Sequence, residues 1–208
     1  GRTVAMLAAW NGYLTPELAE TLARLGCPMD DVRIGKEAAK HDRFVSFAVW
    51  AKYAPGMALR ALDSFFNAKK RAAGALALLS SGVPFDGETI RALAAVFSKS
   101  RTGAVEHLLG DEGVFRAIDG ARFLELDSSG RALKTSMNAA AVRNLLSMCR
   151  SFLDEHPEKF ELVNKSLSVF SASLEKHRED PEIASLVSEI ASRTASLAPE
   201  SENAFPAL

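Results

Sequence analysis

Apolar residues recur at three- and four-residue spacing along almost the whole chain, and most runs stop at a glycine or a proline. That spacing puts them on one face of an α-helix, so the chain is constrained to bury a series of amphipathic helices against one another. Of its 208 residues, 48% are hydrophobic, enough for a core; with 8 prolines and 13 glycines, low complexity and wholesale disorder are excluded.

The first stripe, Val4, Leu7, Ala8, Trp10 and Leu14, breaks at Gly12 to Thr15. Thr15-Pro16-Glu17 then starts a second helix: the hydroxyl caps free amides, proline at the first position loses no needed donor, and the glutamate complements the helix dipole. It is expected to run from Pro16 to Leu25 and to close at Gly26. The segment around Lys36, Glu37, Lys40 and His41 reads as a short exposed helix with a thin apolar face. Phe44, Phe47, Ala48, Trp50 and Ala51 form a strong stripe, and the break at Ala54-Pro55-Gly56 separates it from Met57, Ala58, Leu59, Leu62, Phe65 and Phe66.

These two hairpins echo each other at an offset of 40 residues, since Ala8, Trp10 and Tyr13 recur as Ala48, Trp50 and Tyr53. A looser third copy begins at Leu76 to Leu79, turns at Val83-Pro84 and continues through Ile90, Leu93, Ala94 and Phe97. A recurring helical hairpin is the mark of an α-solenoid, because each pair can bury its apolar face only by stacking on the next. The expected fold is therefore all-α, a right-handed solenoid-like stack of helical hairpins ending in a three-helix C-terminal segment.

Glycines at 110, 113 and 120 keep the helices of 101–130 short, with apolar pieces at Val105, Leu108, Leu109, Val114, Phe115 and Ile118. Phe123, Leu124 and Leu126 are expected as a short extended piece before the turn Asp127-Ser128-Ser129-Gly130. From a cap at Ser136, one long helix carries Ala140, Leu145, Leu146, Met148, Phe152 and Leu153 to Pro157. A second carries Phe160 to about Arg178, and Asp180-Pro181-Glu182 opens a third with Ile183, Leu186, Val187, Ile190 and Leu197. The organisation that follows is a hairpin-repeat region over 1–130, a three-helix region over 131–198 and a tail over 199–208, with one continuous domain as the alternative.

No apolar stretch approaches the length needed to span a bilayer, and no signal peptide is recognisable at the start. Cys27 and Cys149 lie far apart without ligand-spaced neighbours, which points away from a disulfide framework or a zinc site and towards an intracellular, reducing compartment, cytoplasmic or mitochondrial matrix. None of His41, His107, His156 and His177 shares a local helical face with a second histidine or a cysteine, and His156 is accounted for by a helix end. Asp30-Asp31 and Asp111-Glu112 read as caps rather than acid–base pairs. No nucleotide fingerprint or nucleophile–base pair is visible, so no cofactor, metal or small-molecule substrate is expected; the stretch 101–135 is the place an unfamiliar active site would occupy.

Charge is uneven. Residues 1–150 hold 20 Lys and Arg against 15 Asp and Glu, and residues 151–208 hold 5 against 11. Basic residues recur at comparable places after the hairpins: Lys36, Lys40 and Arg43; Lys69, Lys70 and Arg71; Lys99 and Arg101. On a stack they could line one edge able to track a phosphate backbone, and solvated loops are the plainer alternative.

The string from Met6 through Trp10-Asn11-Gly12-Tyr13 to Thr15-Pro16-Glu17-Leu18, with its echo around Trp50, resembles the helical repeats of organellar RNA-metabolism proteins, the octotricopeptide-like and RAP-domain group, over residues 3–100. Armadillo-like or HEAT-like repeats give a similar pattern. The resemblance implies action on mitochondrial or plastid transcripts or in ribosome assembly. Two functions are thus expected: a non-enzymatic scaffold or adaptor for protein partners, which can sit within a ribonucleoprotein, or an RNA-binding repeat protein using the basic edge.

Overall fold

In the computed structural model, which describes residues 3–111, 114, 117–128 and 137–197, thirteen α-helices and no strand occur among the described residues. The first five are α1 (Val4–Asn11), α2 (Pro16–Arg24), α3 (Val32–Lys40), α4 (Phe44–Ala51) and α5 (Ala58–Leu62). Then come α6 (Ala68–Ser80), α7 (Gly87–Lys99), α8 (Arg101–Leu109), α9 (Gly120–Ser128) and α10 (Ala139–Glu155). The last are α11 (Phe160–Val169), α12 (Ser171–Lys176) and α13 (Pro181–Leu197). No described helix is long and apolar enough to cross a membrane.

Local chemistry sets the ends. The Thr15 hydroxyl accepts the Leu18 N–H at 3.3 Å and Pro16 stands first in α2. Asp31 caps α3 by accepting the Arg33 N–H at 2.9 Å, and Asp86 caps α7 by accepting the Thr89 N–H at 2.7 Å. Gly12, at φ +82°, ends α1 in the left-handed conformation that costs glycine little.

Many helices two apart in the chain pack on each other, and the neighbours α3 with α4 and α6 with α7 do so too. α1 lies on α3 and α3 on α5; α2 lies on α4, α4 on α6, α6 on α8, and α8 on α10. Every residue of α4 is buried, as befits a helix that is apolar all round. Its Phe44 stacks on Phe65 with ring centroids 5.2 Å apart, and Phe47 meets the same ring edge-on. α10 packs on α13 as well as on α8, and one hydrophobic cluster runs from Ala5 to Ile190.

The segment expected as an exposed helix is instead central. α3 buries Ile34, Gly35, Ala38 and Ala39 between α1, α4 and α5. Its apolar face reads as thin because it is built from the smallest residues, which let neighbouring helices approach closely: a Cβ on Gly35 would lie 2.2 Å from Cζ3 of Trp50. The 40-residue echo relates α1 to α4, yet its two tryptophans have different surroundings. Trp50 is fully buried against α3, whereas Trp10 is half-buried with its ring 5.5 Å from His41.

Two further expectations change. Phe123 and Leu124 lie in a helix, α9, because Asp119 accepts the Arg122 N–H and both side chains are buried on one side. The single helix expected over 160–178 divides at Phe170, whose ring is buried and whose backbone leaves the helical region at φ −96°, ψ 10°. The expected cap at Ser136, Phe115, the turn residues Ser129 and Gly130 and the 199–208 tail lie outside the described residues.

Candidate binding groove

A groove of about 1110 Å³ opens where the ends of several helices meet. Asn11, Gly12, Tyr13 and Thr15 come from the α1–α2 turn; His41, Asp42, Arg43, Phe44 and Val45 from the α3–α4 turn; Lys70 from the first turn of α6. Glu106, His107, Gly110 and Asp111 come from the end of α8, and Asn138 caps α10.

The walls are tied by polar contacts that reach across the chain. Asp42, at φ +58°, lets the backbone reverse between α3 and α4, a conformation Asp tolerates better than most residues. Its carboxylate meets Lys70 Nζ at 2.5 Å through Oδ2, while Oδ1 is buried without a partner. Arg43 lies across Gly12 and its Nε donates to the Trp10 carbonyl at 3.3 Å, placing a cation at the negative end of α1. Asp111 accepts the Phe44 N–H at 2.9 Å and so caps α4 from 67 residues away. Glu106 accepts the Asn138 N–H at 3.2 Å.

All three carboxylates of the lining are therefore engaged within the protein. The donors are not. Among the described residues, the terminal nitrogens of Arg43, the Tyr13 hydroxyl and the imidazoles of His41 and His107 make no hydrogen bond, and Tyr13 is 71% exposed. The groove thus offers hydrogen-bond donors over a lining that, among the described residues, holds two cations, three carboxylates and two histidines.

Of the basic residues read from the sequence, the groove brings together Arg43 and Lys70. Lys36 is half-buried on α3, and Lys40 pairs with Glu37 at 2.9 Å. Lys69 lays its stem against α8, where a Cβ on Gly103 would meet its Cδ at 2.9 Å. Arg71 reaches Asp63 at 3.8 Å, and Lys99 is exposed at the end of α7. The side chain of Arg101 lies outside the described residues. Nothing in the sequence marks Tyr13, His41, Asp42, Glu106, His107, Asp111 and Asn138 as site residues, since most of them stand at turns or caps and Glu106 and His107 lie within a helix.

Among the described residues no three His, Cys, Asp or Glu side chains gather to hold a metal ion. Burial pushes the Cys149 thiol up to about 12, so it stays protonated and unreactive in the folded chain. No family model matches the chain, and no curated protein or solved structure matches it either.

Proposed function

We propose that the chain is a non-enzymatic scaffold or adaptor, an α-solenoid-like stack of helices that receives a segment of a protein partner in the groove between Tyr13, Arg43 and His107. The observation that carries this reading is an imbalance in the described lining: Asp42, Glu106 and Asp111 each accept an internal hydrogen bond, while the terminal nitrogens of Arg43, the Tyr13 hydroxyl and the His41 and His107 rings have no hydrogen-bond partner among the described residues. The run of contacts between helices two apart, α2 on α4, α4 on α6, α6 on α8 and α8 on α10, supports the solenoid part of the reading, since stacked hairpins repeat such contacts. The partner can belong to a ribonucleoprotein.

The alternative, RNA binding by the basic residues, draws support from the first turn of α6. Lys69, Lys70 and Arg71 stand there at the positive end of the helix dipole, where cations are unfavourable. Against it, Lys40, Lys70 and Arg71 each face a carboxylate that a phosphate would have to displace.

The two readings separate in an anisotropy titration of mixed single-stranded RNA at low and physiological salt, with a Lys69→Glu, Lys70→Glu, Arg71→Glu variant alongside. The scaffold reading expects no saturable binding at physiological salt. Tight binding that falls steeply with salt, with a log–log slope of about −0.7 per phosphate contacted, and that is lost in the variant would replace it with the RNA reading.

A further inference from the structure

Resting on the scaffold reading, we propose that the groove recognises an extended peptide segment carrying one or two isolated carboxylates, with Arg43, Tyr13 and His107 as its specificity-determining contacts. The groove has room for a peptide: at about 1110 Å³ it stands at the upper end of the roughly 300–1,000 Å³ of ligand sites, and its walls come from several separate parts of the chain. An extended segment presents a row of main-chain carbonyls, and these are the acceptors that the free donors of Tyr13, His41 and His107 lack.

The acid follows from Arg43. Its Nε is taken by the Trp10 carbonyl, which fixes the guanidinium plane and leaves the terminal nitrogens for a carboxylate. Lys70 cannot serve in the same way while Asp42 holds it at 2.5 Å. A dense polyanion is disfavoured, because among the described lining residues Asp42, Glu106 and Asp111 outnumber Arg43 and Lys70 and would repel a charge on every unit of a nucleic acid or an acidic run. An isolated carboxylate flanked by neutral residues meets the arginine without that penalty.

The test is selection from a phage-displayed random peptide library on the full chain, followed by titration of the enriched peptides against wild type, Tyr13→Phe, His107→Gln, Arg43→Lys and Arg43→Gln. Tyr13→Phe removes one exposed hydroxyl that makes no internal bond, so the fold is kept whatever becomes of the arginine variants. The expected result is a single Asp or Glu at a fixed position among neutral residues. Affinity should fall roughly ten-fold or more with Arg43→Gln, nearly as far with Arg43→Lys, and several-fold with Tyr13→Phe and His107→Gln. Enriched peptides without an acid that still depend on Tyr13 would overturn the inference and leave the groove as a protein-binding site. Peptides indifferent to all four variants would overturn the groove as the site, and no enrichment would overturn the inference, the scaffold reading being decided separately by the RNA titration.

Discussion

Replacing Gly35 by alanine isolates the contact that seats α3 in the core. In an ordinary helix interior this change stabilises by roughly 0.5–1 kcal/mol, because alanine loses less backbone freedom on folding. Here the new Cβ would lie 2.2, 2.3 and 2.6 Å from three carbons of the Trp50 ring, where carbon atoms rest comfortably near 3.5–4.0 Å. Relief needs a shift of more than an ångström by either α3 or an indole that is itself fully buried beside Phe47, with ring centroids 5.7 Å apart. Overpacking of this kind costs typically 1–3 kcal/mol. Taking the upper end and subtracting the propensity gain leaves a net loss of about 2 kcal/mol, or a Tm lower by about 4–8 °C at this chain length. Urea denaturation followed by far-ultraviolet circular dichroism measures it. Gly87→Ala, where no atom lies within 4 Å, serves as the neutral comparison, and Gly103→Ala, which meets only the movable end of Lys69, should fall between them. In a Trp50→Leu background the cost of Gly35→Ala should shrink markedly. Gly35→Ala as stable as Gly87→Ala, or a cost unchanged when Trp50 is removed, would refute the close approach of α3 to α4.

Removing the carboxylate that caps α4 across the groove, Asp111→Ala, should destabilise by about 0.5–2 kcal/mol, with Asp111→Asn retaining much of the cap; thermal melts of the two distinguish a capping role from a charge effect. Hydrogen bonding from Arg33 holds the Asp31 carboxyl below its ordinary range, and the Thr89 N–H does the same for Asp86. A folded pKa below the unfolded one means that the stabilisation is present above the unfolded value, about 3.9, and is lost as pH falls through the folded values. Stability should therefore drop below about pH 4, with a shallower acid limb in Asp86→Asn, since asparagine caps without titrating. Thiol titration of the native chain with a disulfide reagent should modify half-buried Cys27 first and leave Cys149 until the chain unfolds; rapid reaction of both in native buffer would contradict the burial of α10.

Helix starts were legible because their chemistry is local. Thr15-Pro16-Glu17 and Asp180-Pro181-Glu182 each carry cap, first-turn proline and acid within three residues, and α2 and α13 begin at those prolines. The sequence makes α3 look exposed because hydropathy weighs side-chain size, whereas Gly35, Ala38 and Ala39 contribute by being small. Phe123 and Leu124, expected as extended, are helical in α9; a short apolar run has too few residues to display a period. The groove was not legible for a different reason. Its lining is drawn from segments between Asn11 and Asn138, and the contacts that define it, such as Asp111 with the α4 amide and Arg43 with the Trp10 carbonyl, join residues far apart in the chain. Asp111 was read as a cap and is one; that it caps α4 rather than a neighbouring helix depends on the tertiary fold.

The most direct measurement is site-specific photo-crosslinking from the groove in an extract of the cells that make the protein. A photoreactive side chain is placed at Tyr13 in the groove, with the same group at Leu25, 75% exposed at the end of α2, as a control. The expected result is a discrete protein adduct from position 13 that is absent from position 25 and disappears when Arg43→Gln is added. An adduct with RNA, or protein adducts equal at both positions and indifferent to Arg43, would contradict a groove built to receive a protein partner.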